Sequence, residues 1–547
     1  MEPIRIALYD STLRDGAQAE GVAFSLSDKL AATIRLDELG VDYVEGGYPA
    51  SNEKDRAYFE EIARRPLKTT QVCAFGMTRR KGVRPEDDPG LAQLLESPAE
   101  IATIVGKASS FQAREVLGVS LEENLAMIEE TVRFAVAAGK RVFFDAEHFF
   151  DGWTVDGGYS EETLRAAIRG GAEAVVLCDT NGGTMSPTIG AATLGATDVV
   201  NEFATRSPEA KRVVVGIHAH NDCGLAVANS LAAVVAGATM VQGTMNGLGE
   251  RCGNADLLVV AANLALKYNG RYDVLSPESI ERLAAASRFF YDLTNVNPNV
   301  GQPYVGKSAF AHKGGMHVSG INRNPASYEH VPPESVGNER RILVSELSGK
   351  SNIIAFAKKY RLDEDESLDS ETVKKILDVV AEKENNGYQY EAADASFQLL
   401  VKKIRGEFEA SFQRINYQTS VAVTVINEKY TDAKTVATVK LSVGKRGEIR
   451  HEVAEGDGPV DALNNALRKA LEPIYPELRE MKLVDYKVRV LNSDAATAAT
   501  TRVIIESRDG DEQWGTVGVS ENVVEASWIA LCDSIEYKLS KALRDAS

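Results

Sequence analysis

Two histidines one residue apart, His218 and His220, have the side chains in this sequence best suited to bind a metal ion. They end a predicted strand, and alternate residues of a strand point to the same face, so the two imidazoles are expected to converge. Paired imidazoles can chelate a divalent cation. Histidines that are satisfied by loop carbonyls are the structural alternative. Six of the seven histidines lie between residues 148 and 330, which favours a site.

A charged segment, Asp10 to Gln18, follows the first predicted strand and places the carboxylate of Asp15 beside the guanidinium of Arg14. A structural ion pair is one interpretation. The other is that Asp15 joins His218 and His220 in a metal site with one carboxylate and two imidazoles. Arg14 would then be free to neutralise an oxyanion.

A glycine-rich segment, Gly247 to Asn254, follows the eighth predicted strand. Its glycines allow a close approach of the backbone, and Asn254 can offer a neutral oxygen ligand. By itself, a glycine-rich loop does not identify a site.

The elements that must position these residues are strands alternating with helices over residues 1–270, a pattern typical of a parallel α/β fold. Eight such repeats predict a closed (β/α)8 barrel, with an open doubly wound sheet as the alternative. One predicted helix runs from Ser120 to Ala138, begins with a capping box formed with Glu123, and stops at Gly139. The predicted strands begin near Ile4, Asp42, Thr70, Ile101, Arg141, Ala174, Val213 and Met240.

Polar clusters directly after the strands favour the barrel over the open sheet. A barrel sends the carboxyl ends of all its strands to one face, where the active sites of this fold are built. Besides Asp10 to Gln18, the clusters are Glu45 to Pro49, Glu147-His148, Asp179 to Asn181, His218 to Asp222 and Asn246 to Asn254.

Composition excludes several classes of function. The chain has 547 residues with 61 basic and 79 acidic side chains, a net charge of −18. No basic run interrupts this balance, so no nucleic-acid partner is expected. No apolar run reaches the roughly 18 residues that span a bilayer, so no membrane partner is expected. Five scattered cysteines without a CxxC pair are typical of reduced thiols in the cytoplasm.

The length indicates two or three domains. Changes of pattern along the chain predict a catalytic barrel over residues 1–285, helical linker subdomains over 286–405, and an α+β regulatory domain over 406–547. The acidic stretch Asp363 to Asp369 is interpreted as a solvated helix start. In the last domain a strand-strand-helix unit is duplicated. Strand-like alternation marks Ser420 to Ile426, Thr438 to Val443, Tyr486 to Leu491 and Thr501 to Glu506.

Three of these segments together resemble a known family. They are DSTLRDGAQ from Asp10, HAHND from His218 and GLGERCGN from Gly247. In this order on strands one, seven and eight they resemble the DRE-TIM acyltransferases, which include 2-isopropylmalate, homocitrate and citramalate synthases. The resemblance covers essentially the whole chain. It includes a C-terminal domain similar to the one that senses leucine or isoleucine in the family.

The resemblance implies roles for the residues at the strand ends. Asp15, His218 and His220 match the metal ligands, and Asn254 matches a fourth position that is a ligand or lies next to one. Arg14 matches the arginine at the substrate carbonyl. The implied cofactor is a divalent metal, and two imidazoles with one carboxylate suit Mn2+, Mg2+ or Zn2+.

Four further residues acquire roles only through the resemblance. Glu147 matches a glutamate of strand five, and Thr180 matches the hydroxyl that holds the carboxylate of the 2-oxoacid. His317 matches the catalytic histidine, and Tyr328 matches a tyrosine beside it. Without the family, His317 would be interpreted as a surface histidine, and Thr180 and Tyr328 as turn and packing residues.

The reaction implied is a metal-assisted Claisen condensation of acetyl-CoA with a 2-oxoacid. The segments Phe143 to Asp151, Glu45 to Pro49 and Gly76 to Arg80 resemble the citramalate synthase branch. The expected acceptor is therefore pyruvate, on a route to isoleucine, with isoleucine as the effector and a homodimer as the assembly. The alternative acceptor is 2-oxoisovalerate, as in 2-isopropylmalate synthase. The two acceptors differ only in the size of an apolar group, and a pocket discriminates such a difference by only ~1–3 kcal/mol of transition-state binding free energy.

Two other classes of function remain as alternatives. A carbon–carbon lyase of the hydroxymethylglutaryl-CoA type would share Arg14 and Asp15, but it would carry a Cys-Pro pair after strand eight, where Cys252 is followed by Gly253. A catalytically inactive, ligand-sensing barrel is disfavoured because the charged residues at the strand ends are intact.

Overall fold

The computed structural model divides the chain into two compact units, Met1–Phe310 with Val331–Glu339, and Ala311–His330 with Arg340–Ser547. The described residues are 2–206, 213–343, 353, 369–422, 425–426, 429–430, 434–491, 499–510 and 512–545. The predicted domain boundaries at 285 and 405 stay predictions.

The first unit contains a closed barrel of eight parallel strands, each paired with its neighbours in chain order, with β8 closing on β1. This confirms the predicted (β/α)8 barrel and excludes the open sheet. The barrel strands are β1 (Ala7–Asp10), β2 (Tyr43–Gly47), β3 (Gln71–Met77), β4 (Ile101–Lys107), β5 (Arg141–Glu147), β6 (Ala174–Asp179), β7 (Val214–Ala219) and β8 (Met240–Gly243).

The prediction for the first strand was wrong in one respect. The run from Ile4 forms two strands, because Ile4–Arg5 pairs in parallel with Tyr272–Asp273 outside the barrel and β1 begins only at Ala7. Ile6 between them is fully buried, so the apolar pattern is continuous across the break. The other seven strands begin within one residue of their predicted positions.

Helices separate the strands of the barrel. The predicted helix after β4 is confirmed, and the Ser120 hydroxyl accepts a hydrogen bond from the Glu123 backbone N–H. The reciprocal half of its capping box is missing, because the Glu123 carboxylate pairs with Arg79 at 2.9 Å instead. The helices are α1 (Leu26–Leu39), α2 (Glu53–Ile62), α3 (Pro89–Glu96), α4 (Leu121–Ala137), α5 (Phe149–Gly170), α6 (Ser186–Arg206), α7 (Ala226–Val235), α8 (Leu257–Lys267), α9 (Pro277–Ile280) and α10 (Leu283–Thr294).

Two sets of buried side chains stabilise the barrel. The larger packs the outer faces of the strands against the helices. The smaller comes from the strands alone and fills the barrel interior with Tyr9, Cys73, Ile101, Phe143, Ala174, Val176 and Met240. Because these residues come early in their strands, the interior is apolar toward the amino ends. The polar side chains are left at the carboxyl ends.

The second unit begins with α11 (Gly315–Arg323), α12 (Ser370–Asn385) and α13 (Asp394–Arg405). Of the acidic stretch predicted to start a helix, residues 363–368 lie outside the described residues. Asp369 caps α12, since its carboxylate accepts the Thr372 backbone N–H. No described helix combines the length and apolarity that a bilayer-crossing segment requires.

The C-terminal repeat has three strands per unit, not the predicted two. Each antiparallel sheet is followed by a helix, α14 (Pro459–Leu471) or α15 (Val523–Asp545). The third strands, β11 and β14, were not predicted; in β11 the apolar residues Ile449 and Val453 are exposed, so this strand has no buried apolar face. The strands are β9 (Phe412–Ala422), β10 (Lys434–Val443), β11 (Glu448–Gly456), β12 (Lys482–Val490), β13 (Thr501–Arg508) and β14 (Gln513–Ser520).

Candidate active site

Three buried side chains bring donor atoms together at the carboxyl ends of β1 and β7. The Oδ2 atom of Asp15 lies 3.1 Å from Nε2 of His218 and 3.9 Å from Nε2 of His220. The three donor atoms all lie within 4.8 Å of one another. Ligand atoms about 2.1 Å from a divalent ion are roughly 3–4 Å apart. The set therefore has the chemistry and the spacing to hold such an ion.

Local backbone structure explains how the chain delivers these donors. After β1, the carbonyl of Ser11 accepts hydrogen bonds from the backbone N–H groups of Arg14 and Asp15, which turns the loop sharply. His220 pairs with Asn254 in an isolated bridge, so the loops after β7 and β8 run side by side. Gly253 has φ +88°, and a Cβ there would lie 2.0 Å from the carbonyl oxygen of Gly247. The glycine-rich loop can hold this conformation only with glycine at position 253.

The three donors differ in electrostatic state. Burial would raise the pKa of Asp15, but the charges of Arg14 and His218 hold it well below its usual range. Burial alone would lower the pKa of His218, but the hydrogen bond and charge of Asp15 outweigh it and raise the pKa to about 9. Burial and the neighbouring His218 lower the pKa of His220 to about 4. In the metal-free protein, an ion pair of Asp15 and His218 therefore lies beside a neutral His220.

Arg14 is fixed by neighbours that sequence analysis did not assign to it. Its Nε donates to the buried carboxylate of Glu45 at 2.7 Å, and its guanidinium stacks over Phe75 at 4.2 Å. The carboxylate of Asp15 is farther away, at 3.5 Å. These contacts hold the Arg14 side chain in place. The guanidinium lies in the wall of the cavity described below, and its predicted role at an oxyanion stays a prediction.

His218 has polar contacts at both ring nitrogens. Its Nε2 lies 3.1 Å from Oδ1 of Asn254, the residue predicted at the fourth metal position. Its Nδ1 lies 2.8 Å from Oε1 of Gln242 on β8, and the Gln242 amide donates to Asp145 on β5 at 3.0 Å. Burial raises the pKa of Asp145 to about 7. The predicted metal residues thus lie in a larger polar network.

Glu147 and Thr180, the other barrel residues with predicted roles, lie at the same mouth. Glu147 forms an ion pair with Lys107 at 2.5 Å. The hydroxyl of Thr180 accepts the backbone N–H of His148 at 2.8 Å, so its own hydrogen can be donated elsewhere. His148 adopts a left-handed conformation with φ 60°, unusual for a residue other than glycine.

These side chains surround a cavity of about 690 Å3. Its wall includes Arg14, Asp15, Glu147, Thr180, His218 and His220. A volume of this size accommodates a small oxoacid together with part of a larger second substrate.

His317 and Tyr328 belong to the second unit. Their rings stack with centroids 4.2 Å apart, so the predicted neighbourhood of the two residues is present. Nearby, Glu329 contacts His312 at 3.3 Å and Arg340 at 2.5 Å. The catalytic roles given to His317 and Tyr328 stay predictions, as do those of the barrel residues.

Four polar residues of the site were given no individual role in the sequence-based prediction: Glu45, Lys107, Asp145 and Gln242. Glu45 begins one of the polar clusters named at the strand ends, and Lys107 could have been found in the same way, because it ends β4. Asp145 and Gln242 are polar residues inside apolar strands, which is itself a hint of a satisfied buried contact. Their partners lie on other strands and could not be read from the sequence.

Three family models match the chain. A model described as HMGL-like matches residues 5–288, and one described as homocitrate synthase post-HMGL domain-like matches residues 304–385. A model of the LeuA allosteric (dimerisation) domain matches residues 391–539.

Curated relatives match over nearly the whole length. The (R)-citramalate synthase of Geobacter sulfurreducens is 47% identical over 98% of both chains. That of Aquifex aeolicus is 45% identical, again over 98% of both. A 2-isopropylmalate synthase of Methanocaldococcus jannaschii is 30% identical over 98% of this chain and 96% of its own.

The pKa values of the two histidines predict that binding of a divalent cation releases a proton. With a pKa of about 9, His218 must lose the proton on Nε2 before that nitrogen can bind, whereas His220, at about 4, is already neutral. Affinity for Mn2+ should therefore rise about tenfold per pH unit up to pH 9. Calorimetry at pH 6.5 and 7.5, in buffers of different ionisation enthalpy, measures both the affinity and the proton. A dissociation constant that does not change with pH would contradict this assignment.

Proposed function

The chain belongs to the citramalate synthase branch of the HMGL-like family, and on that premise we propose that it condenses acetyl-CoA with pyruvate to give (R)-citramalate and coenzyme A. It is an enzyme of the acyltransferase type. The proposal includes a divalent metal at Asp15, His218 and His220, hydrolysis of the thioester on the same protein, and a place in isoleucine biosynthesis. A cytoplasmic location stays a prediction.

One observation carries this proposal: the donor atoms of Asp15, His218 and His220 converge on the wall of a cavity that also contains Arg14 and Thr180. A 2-oxoacid has two adjacent oxygen functions, a ketone and a carboxylate. A site for it needs positive or hydrogen-donating groups for both. The cavity supplies these groups from the ends of different strands, as enzymes with this fold do.

Arg14 and Thr180 bind and orient the acceptor. The guanidinium of Arg14 lines the cavity and can donate to the oxygen of the ketone, where negative charge develops during the condensation. The Thr180 hydroxyl, fixed by the backbone N–H of His148, can donate its hydrogen to the carboxylate of the oxoacid. Glu45 holds Arg14 at this position and keeps it from swinging away.

A divalent ion bound by the three donors would act as a Lewis acid that makes the carbonyl carbon of the oxoacid electrophilic. The remaining requirement is a base for the methyl group of acetyl-CoA. We assign this role to His317, with Tyr328 beside it. Glu147 takes part in the proton network, and Lys107 keeps its carboxylate oriented.

Pyruvate is preferred over 2-oxoisovalerate because of the relatives. The citramalate synthases quoted above are 45–47% identical to the chain, whereas the 2-isopropylmalate synthase is 30% identical. The segment around β5 that resembles the citramalate synthase branch also lines the cavity through Asp145 and Glu147.

The C-terminal repeat supports a regulatory role. The match to an allosteric and dimerisation domain covers β9 to β14, α14 and most of α15. We propose that this domain forms a homodimer and binds isoleucine as the effector.

A substrate panel tests the proposed reaction. Purified protein with acetyl-CoA should release free CoA rapidly with pyruvate and at least tenfold more slowly with 2-oxoisovalerate. Release should stop with a chelator and return with Mn2+. The control is the His218→Asn variant, which lacks one donor. Equal rates with the two oxoacids, or full activity in excess chelator, would disprove the proposal.

Replacement of His317 tests the assignment of the base. His317→Ala should lower turnover on the order of 100-fold, as expected for lost acid–base catalysis, and leave Mn2+ affinity unchanged. Single-turnover kinetics and metal titration of the same preparation separate the two effects. His451→Ala, in β11 of the C-terminal domain, is the matched control. Near-normal turnover in His317→Ala would reject the assignment.

Isoleucine should inhibit the full-length enzyme, while leucine at the same concentration should have a much smaller effect. The physical reason is that an effector site built for one branched side chain gains only a few kcal/mol of discrimination, enough for a 10- to 100-fold difference in affinity. Initial rates with each amino acid at saturating pyruvate provide the measurement. If neither amino acid changes the rate, the domain has another role.

A further inference from the structure

The two histidines of the proposed metal site are supported unequally. Nδ1 of His218 lies 2.8 Å from Oε1 of Gln242. Nδ1 of His220 is buried and has no hydrogen-bond partner among the described residues. His218 therefore has polar contacts at both ring nitrogens, whereas His220 has no contact of this kind at Nδ1.

The contact with Gln242 has a defined direction. The amide of Gln242 donates through Nε2 to Oδ1 of Asp145 at 3.0 Å. The amide nitrogen of Gln242 therefore faces Asp145, and its oxygen faces His218. A carbonyl oxygen only accepts, so Nδ1 of His218 must carry a hydrogen. In the neutral imidazole, the form that can bind a cation, the lone pair is then on Nε2, the atom next to Asp15.

The position of these residues inside the barrel makes the contact costly to lose. Gln242 is 0% exposed, and Asp145 is 2% exposed. Gln242 pairs in register with His218 across β7 and β8, while Asp145 lies on β5, on another part of the barrel wall. A buried amide is stable only when both of its ends are satisfied. Here one end is satisfied by the acid and the other by the imidazole.

We propose that Gln242, oriented by Asp145, is a positioning residue that holds His218 as the Nδ1-protonated tautomer with Nε2 directed at the metal ion. This inference rests on the proposed function, because it assumes that a divalent ion binds at Asp15, His218 and His220. Groups that support a metal-binding histidine in this way typically change affinity 10- to 100-fold when they are removed.

Titration of Mn2+ into chelator-stripped, full-length protein at pH 8 tests the proposal. Gln242→Met keeps the size of the side chain but removes the acceptor, and it should weaken Mn2+ binding 10- to 100-fold. The exchanged pair Asp145→Asn with Gln242→Glu keeps the pattern of donors and acceptors. The amide of the new asparagine donates to the carboxylate of the new glutamate, and that carboxylate accepts the hydrogen on Nδ1 of His218. Its affinity should return to within about threefold of the unaltered protein, because the acceptor next to His218 is restored.

Gln398→Met in the second unit is the matched control, because Gln398 is also a buried glutamine, 1% exposed, with a hydrogen bond to Tyr537. It should bind Mn2+ as the unaltered protein does. Equal affinity in Gln242→Met and the unaltered protein, or no recovery in the exchanged pair, would overturn the positioning role. Failure of the unaltered protein to bind Mn2+ would overturn the proposed metal site as well. Circular dichroism of each variant ensures that folded proteins are compared.

Discussion

The close approach of the Asp15 carboxylate to two imidazoles is the interaction on which the rest of the site depends. Three titratable groups within a few ångströms of one another in a buried place are unstable unless their charges balance. The metal-free protein balances them by moving a proton to His218, which forms an ion pair with Asp15, while His220 stays neutral. A divalent ion can replace that proton. The same geometry therefore explains both the stability of the site and its capacity for a cation.

Closure of the barrel creates this approach. Asp15 follows β1 and the histidines end β7, so they are about 200 residues apart in the sequence. Only β8 separates the two strands in the closed barrel, where it pairs with both. The loop after β8 also runs beside the loop after β7, through the bridge between His220 and Asn254. An open sheet would have placed the first and seventh strands far apart and left these donors without a common ion.

Much of this could be predicted from the sequence, for physical reasons. The alternation of strands and helices fixes the fold class, and the spacing of His218 and His220 places both rings on one face. The support of the site could not be predicted in the same way. Gln242 and Asp145 act through contacts between strands that are far apart in the chain, and a one-dimensional pattern does not contain such contacts. The capping box at Glu123 shows the same limit. The Glu123 carboxylate pairs with Arg79 on another loop and does not accept the second hydrogen bond of the box, and this competing partner could not be identified from the local sequence.

The apolar filling of the barrel interior has a kinetic consequence. Tyr9, Ile101, Phe143 and Met240 pack the amino-terminal end of the channel. Substrates and products must therefore enter and leave through the same opening, at the carboxyl ends of the strands. A product that stays bound there blocks the next oxoacid, so it must leave before the next turnover can begin.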